Sequence, residues 1–334
     1  MGAVRVTAED WSCEFGAPAR ECRGFYNEGT EGQGQAAGWC RLRGMARRRT
    51  VDAVTVAQRA AALGARQVRG AGRVAALRQA VSMLDLTTLE GKDTPETVRA
   101  LCRVAARPDG GQVDPPVPAV AAVCVYPAMV AVAKEALAGS DVKVTAVATA
   151  FPSGQFPLSV RLSDVRAAVE AGADEIDMVL NRGAFLAGRY DVAADEIRRA
   201  RQACGIAHLK IILEVGELET CDNIRRAADL AIAAAASAKP IEDGEVFIKT
   251  STGKVAPAAT PEAVLIMLEA IRDHYRTTGM RIGIKPAGGI RTAGQALQYM
   301  VLVRETPGEV WLSPKLLRFG ASSLLNDLIR GIAG

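Results

Sequence analysis

Histidine is almost missing from this sequence: His208 and His274 are the only two in 334 residues. That leaves little material for a histidine-based metal centre or a Ser-His-Asp triad. The seven cysteines are an odd number with no Cys-x-x-Cys spacing. They argue against a disulfide framework or a zinc site and fit a reducing cytoplasm. No run of 18 apolar residues is present, so no segment reads as a membrane-spanning helix, and the first residues lack the charged-then-apolar order of a secretion signal. Aromatic residues make up 4% and the formal net charge is +4, coming largely from the first quarter, where Arg41, Arg43, Arg47, Arg48 and Arg49 cluster. A surplus so small and so local does not argue for a nucleic-acid partner.

What is present is apolar and rhythmic. Hydrophobic residues make up 49% of the chain, enough for a sizeable core. Residues 1–44 stand apart, glycine-rich and polar around 27–38, with three cysteines, two tryptophans and no apolar period. They predict a disordered, irregular N-terminal extension, with a partner-binding tail as the functional alternative, and Met45 is an alternative start of translation. Residues 51–80 read as an alanine-rich helical lead-in to a catalytic domain over 45–334.

From residue 81 short apolar runs alternate with helical patterns. The runs at 81–86, 121–126, 144–150, 175–180, 209–215, 246–251, 282–286 and 317–321 predict eight strands. Between them lie amphipathic stretches such as 162–171, 192–203, 224–236 and 261–275, the last with Thr260 as N-cap and Pro261 at the first helical position. Residues 237–240, before strand six, read as a surface loop. Eight strand-then-helix units in about 250 residues predict an α/β fold of the (β/α)8 TIM-barrel type, with eight parallel strands. A doubly wound sheet would prefer a glycine fingerprint after the first strand, where this chain has Asp85-Leu86-Thr87-Thr88.

A barrel makes a demand on parity, because alternate strand residues point inward or out to the helices. In strand six Val246 and Ile248 share one face and Lys249 lies opposite with Phe247. In strand seven Lys285 and Gly283 oppose the aliphatic face. In strand four Asp177 alternates with Ile176 and Met178, and in strand one Asp85 lies between Leu84 and Leu86. Four ionisable residues on four strands thus all oppose their aliphatic neighbours. Consecutive strands lie about 4.8 Å apart, and two ammonium groups at that distance repel by about 3–4 kcal/mol at an effective dielectric of about 20. That repulsion, with partial burial, predicts that one of Lys249 and Lys285 is substantially neutral near pH 7, as a Schiff-base nucleophile must be. Asp177 is then placed to move protons and Asp85 to hold a lysine or a water. The alternative is a pair of salt bridges to Asp177 and Asp85 that raises both lysine pKa values and silences both amines.

Three turns at the C-terminal ends of strands six, seven and eight are rich in glycine or hydroxyl groups: Thr252-Gly253-Lys254, Ala287-Gly288-Gly289 and Gly320-Ala321-Ser322-Ser323. Backbone N–H groups in such turns bind anions, barrels often place phosphate near strands seven and eight, and Lys254 adds a point charge.

Taken together, the strings Asp85-Leu86-Thr87-Thr88-Leu89, Val123-Cys124-Val125-Tyr126-Pro127, Glu175-Ile176-Asp177, Phe247–Lys254, Lys285-Pro286-Ala287-Gly288-Gly289-Ile290 and Arg318–Leu325 resemble the deoxyribose-phosphate aldolases, a class I aldolase family. The resemblance runs in order over residues 80–330. It implies Lys249 as the Schiff-base lysine, Asp177 and Lys285 exchanging protons with the intermediate, and phosphate held by Gly253, Lys254, Gly288, Gly289, Ser322 and Ser323. It further implies reversible cleavage of 2-deoxy-D-ribose 5-phosphate to glyceraldehyde 3-phosphate and acetaldehyde in deoxyribonucleoside catabolism. No cofactor or metal, no nucleic acid or membrane partner, a cytoplasmic setting and a homodimer or larger homo-oligomer are expected with it. Some members extend a C-terminal tail whose tyrosine assists proton transfer, whereas Gly334 follows soon after the last helical pattern, so slower turnover, or water in that role, is expected. Rival readings are another sugar-phosphate barrel aldolase or isomerase, or a sugar-phosphate-binding module without catalysis.

Overall fold

The computed structural model describes residues 50–66 and 68–333, all within the unit Met45–Gly334. The expected extension over 1–44 and the alternative start at Met45 lie outside the described residues. Short, wholly apolar or apolar-alternating runs form the strands: β1 Leu84–Thr87, β2 Ala122–Val125, β3 Lys143–Ala148, β4 Glu175–Val179, β5 His208–Ile212, β6 Val246–Lys249, β7 Gly283–Lys285 and β8 Phe319–Ala321. The helices are α1 Ala53–Gly64, α2 Ala71–Ser82, α3 Pro95–Ala106, α4 Val130–Ala136, α5 Leu158–Glu170, α6 Arg182–Leu186, α7 Tyr190–Ala203, α8 Cys221–Ala238, α9 Pro261–Thr278, α10 Ala293–Glu305 and α11 Leu324–Ala333.

All strands pair in parallel in the order β7-β6-β5-β4-β3-β2-β1-β8. Bridges between Ile284 and Leu317 and between Ala287 and Gly320 close the ring. There Arg318 N donates to Ile284 O at 3.0 Å and Gly320 N to Pro286 O at 2.9 Å. This is the expected eight-stranded (β/α)8 barrel. Its parallel strands are covered on their outer face by helices and filled on their inner face by side chains.

Element ends depart from the sequence reading where apolar runs cross a change of structure. The lead-in is two helices, α1 packed against α9 and α10, and α2 packed against α11 and α10. Residues 81–82, read as strand, are the last turn of α2, since a continuous apolar run does not separate a buried helix end from a buried strand. The third strand stops at Ala148 because Thr149 and Ala150 both take φ near +61°. The Thr149 hydroxyl accepts from Val179 N at 2.7 Å, replacing a ladder bond. The fifth strand stops at Ile212, and Glu214 turns the chain at φ 56°. Residues 237–238 belong to α8 rather than to a loop. Thr260 and Pro261 begin α9 as expected, the Thr260 side chain accepting from Ala263 N at 3.2 Å.

Gly283 has a packing reason to lack a side chain. A Cβ on Gly283 would lie 2.4 Å from the Phe247 ring, its register partner on β6. Gly283→Ala is therefore expected to cost about 1–3 kcal/mol through overpacking. A chemical-denaturation midpoint equal to wild type would contradict that packing.

Candidate active site

The barrel converts strand parity into a cluster. Asp177 is the register partner of Lys210, and Lys249 of Lys285. The inward positions bring together Asp85, Glu175, Asp177, Lys210, Lys249, Lys285 and Arg318, each nearly or wholly buried. Asp177 lies at the centre. Its Oδ2 accepts from Lys249 Nζ at 2.7 Å and from Lys285 Nζ at 2.8 Å, while its Oδ1 accepts from Lys210 Nζ at 3.0 Å. Lys285 also pairs with Asp85 at 2.5 Å. Beneath them Lys210 pairs with Glu175 at 2.6 Å and donates to Thr145 Oγ1 at 3.1 Å. Arg318 links Asp85 at 2.7 Å to Glu175 at 2.8 Å. Gly320 makes room for this arrangement, since a Cβ there would meet Ala287 Cβ at 2.7 Å and Lys285 Cε at 3.2 Å.

Buried charges persist when they are paired. Lys210, Lys285 and Arg318 offset Asp85, Glu175 and Asp177 three against three, which leaves Lys249 as the unbalanced amine. The titration directions agree with that balance. Burial lowers the pKa of Lys249, and the Lys285 charge lowers it further against the opposing pull of Asp177. Burial acts the same way on Lys285, yet the Asp177 and Asp85 carboxylates outweigh it and push its pKa above the ordinary lysine value. Asp177 would be raised by burial, but Lys210, Lys249 and Lys285 hold it well below the usual carboxylate range. The outcome is one amine with a lowered pKa beside one with a raised pKa, joined through an ionised carboxylate. The lysine pair was expected to be the main cause of the lowering; burial is the larger one. Both lysines make the salt bridge to Asp177, but the carboxylates outweigh burial for Lys285 and do not for Lys249.

Lys249 is the member of this cluster that lines a cavity of about 350 Å³ at the C-terminal ends of the strands, a size suited to a small ligand. Thr252, Gly253, Lys254, Gly288, Gly289, Ser322 and Ser323 line the same cavity. Gly253, Gly288 and Gly289 all have φ between 80° and 84°, a region open to glycine at no steric cost. A Cβ on Gly288 would also lie 2.6 Å from Ala258 Cβ. Ser322 and Ser323 immediately precede α11, where free N–H groups and the helix dipole favour an anion. Thr250 Oγ1 donates to Ala287 O at 3.0 Å and accepts from Ala287 N at 2.9 Å, tying the β6 and β7 loops together. Behind the cavity wall the buried Glu214 accepts from the Thr252 hydroxyl and from Thr252 N at 3.2 Å. Burial raises the pKa of Glu214 against those hydrogen bonds.

The structure thus brings Asp85, Asp177, Lys249 and Lys285 into one contact network and gathers the six residues expected to hold phosphate, with Thr252 beside them, around Lys249. Lys254 lies at the cavity mouth and is paired with Glu90 at 2.8 Å. Sequence reasoning missed Lys210, Arg318, Glu175, Glu214 and Glu90 as parts of the site. Parity would have found two of them: Lys210 alternates with Leu209 and Ile211, and Glu175 stands two residues before Asp177. Glu214 and Glu90 sit in loops, whose geometry has no period to read.

The chain matches the DeoC/LacD family aldolases over residues 76–329. It is 45% identical over 291 residues to the deoxyribose-phosphate aldolase of Mus musculus, covering 84% of this chain and 89% of that protein. It is likewise 45% identical over 297 residues to the human protein of that description, with the same coverage. A crystal structure of a putative deoxyribose-phosphate aldolase from Toxoplasma gondii superposes with a TM-score of 0.66 at 26% identity, over 78% of this chain and 95% of that one.

Proposed function

Because the chain belongs to the DeoC/LacD family of aldolases, we propose that it cleaves 2-deoxy-D-ribose 5-phosphate reversibly to glyceraldehyde 3-phosphate and acetaldehyde, with Lys249 as the Schiff-base residue. It is a lyase of class I type. The observation that carries the choice of Lys249 is that it alone in the buried cluster lines the cavity, and that it is the amine whose pKa is lowered.

The neutral Lys249 amine attacks C1 of the open-chain aldehyde to give a carbinolamine. Loss of hydroxide as water requires a proton, and the firmly protonated Lys285, bound to the same Asp177 oxygen, is the donor in reach. In the iminium so formed, removal of the C3 hydroxyl proton lets the C2–C3 electron pair move onto the imine nitrogen. Glyceraldehyde 3-phosphate leaves and an enamine remains. Protonation at C2 and hydrolysis release acetaldehyde and restore the amine. Asp177 passes protons between Lys285 and the intermediate, and Asp85 holds Lys285 in place. The sugar phosphate sits on the N–H groups of Gly253, Gly288, Gly289, Ser322 and Ser323, with Lys254 and Thr252 beside it.

No helix among the described residues is long and apolar enough to cross a membrane. A cytoplasmic protein with a role in deoxyribonucleoside catabolism, acting as a homodimer or larger homo-oligomer without nucleic acid, completes the proposal. Among the described residues the thiols of Cys102, Cys124, Cys204 and Cys221 are free, which accords with a reducing compartment.

The decisive experiment combines product and adduct. Incubation with deoxyribose 5-phosphate is expected to release acetaldehyde, and acetaldehyde with borohydride is expected to leave one ethyl group on Lys249 in a peptide mass map. Turnover with an unmodified Lys249 would reject the imine. The trapping rate should also rise with pH through an inflection below the ordinary lysine value of 10.5, since deprotonation creates the nucleophile and the shift is downward. An inflection at or above that value would contradict a buried amine whose pKa is lowered.

A further inference from the structure

The phosphate site proposed above has a carboxylate inside it. Glu90, in the loop between β1 and α3, lines the same cavity as Lys249 and the glycine turns. The loop is fixed by Asp93, which accepts from the Thr88 hydroxyl at 2.8 Å and from Glu90 N at 2.9 Å. From that anchored backbone the Glu90 side chain reaches across to the β6 loop and meets Lys254 Nζ at 2.8 Å. A negative side chain at the mouth of an anion pocket, placed on the cation meant for the anion, needs a reason.

We propose that Glu90 is a specificity-determining counter-ion of the phosphate pocket, holding Lys254 in the phosphate-free protein and giving it up only to a dianionic phosphate. The Glu90 side chain is 60% exposed and that of Lys254 33%, so the pair sits at the rim, where Glu90 has solvent to swing into. An exposed pair of this kind is weak. A phosphate monoester carries a charge of about −1.5 to −2 at neutral pH and gains the glycine-turn N–H groups as well, so it displaces a single carboxylate. A neutral sugar gains nothing from breaking the pair, and a monocarboxylate ligand carries no more charge than Glu90 itself. Breaking the pair costs the same for every ligand that takes Lys254, and a dianionic phosphate is the ligand that repays it, while a neutral sugar binds with the pair intact. The pair also latches two loops that are distant in sequence until phosphate arrives.

The inference rests on the phosphate-binding reading, and two measurements keep the two apart. In Glu90→Gln, which keeps the size and removes the charge, binding of inorganic phosphate measured by calorimetry is expected to tighten about threefold, the scale of one exposed ion pair. The ratio of kcat/KM for 2-deoxyribose 5-phosphate over 2-deoxyribose is expected to rise by a similar factor, chiefly through KM for the phosphorylated sugar. In a Lys254→Met background the same Glu90→Gln substitution is expected to produce no gain. Unchanged phosphate binding in Glu90→Gln would overturn the inference, and so would a gain that survives in Lys254→Met, because a general field effect would then explain it. Calorimetry needs no turnover. If the wild-type protein cleaves neither sugar, the proposed reaction fails while the phosphate titrations still decide the role of Glu90.

Discussion

Lys249→Met is expected to lower kcat for deoxyribose 5-phosphate cleavage by about 10⁴-fold or more, the scale seen when a covalent nucleophile is removed. Methionine keeps most of the apolar stem and deletes the amine. No other amine of the cluster can substitute, because Lys210 and Lys285 are fully buried and held by carboxylates at 3.0 Å or less. The balance of charge makes a second, less obvious demand. With Lys249 gone, Lys210, Lys285 and Arg318 still face Asp85, Glu175 and Asp177, so no buried carboxylate is stranded. The denaturation midpoint of Lys249→Met should therefore stay within about 1 kcal/mol of wild type, unlike substitutions that strand a buried charge. Steady-state kinetics, denaturation and borohydride trapping on the same sample check all three points. An ethyl adduct on Lys249→Met, or activity near the wild-type level, would assign the nucleophile elsewhere.

Asp177→Asn should lose stability as well as activity. The substitution retains shape and removes the charge that three buried ammonium groups share. Breaking a buried pair by neutralising one partner costs about 3–5 kcal/mol, so a marked loss of stability is expected, together with a fall in kcat of about 10²–10⁴-fold from lost proton transfer. The pH dependence carries the sign. Asp177 is held well below its ordinary value of 3.8 in the folded protein. Its contribution to stability is therefore present above that value and is lost as pH falls toward the folded pKa. Asp177→Asn should remove this part of the acid limb, and a curve of stability against pH parallel to wild type would deny the coupling. Asp177 also raises the pKa of Lys249, so the variant should not lack neutral amine. Its deficit should appear in dehydration and cleavage rather than in the pH inflection of amine attack.

Much of this site was legible before any fold was known. The residues Lys249, Lys285, Asp177 and Asp85 declare themselves by opposing aliphatic neighbours at period two, and a barrel turns that period into direction. Lys210 obeys the same rule, but Leu209, Ile211 and Ile212 make its strand look uniformly apolar. Arg318 precedes its short strand by one residue, so its inward direction depends on where β8 begins. The glycine turns were visible as composition, but the Glu214 hydrogen bonds that fix Thr252, and the Glu90 carboxylate on Lys254, join loops 38 and 164 residues apart.

The amino-acid order by itself determined the strand and helix alternation, the inward face of each strand and the residue types available for imine chemistry, because these follow from local periodicity and side-chain chemistry. Which lysine has the lowered pKa and faces the cavity was decided by tertiary structure. Burial depth and the number of carboxylates within reach are properties of closure around the barrel. Closure gave Lys285 two carboxylates and Lys249 a share of one oxygen, with the cavity in front of it.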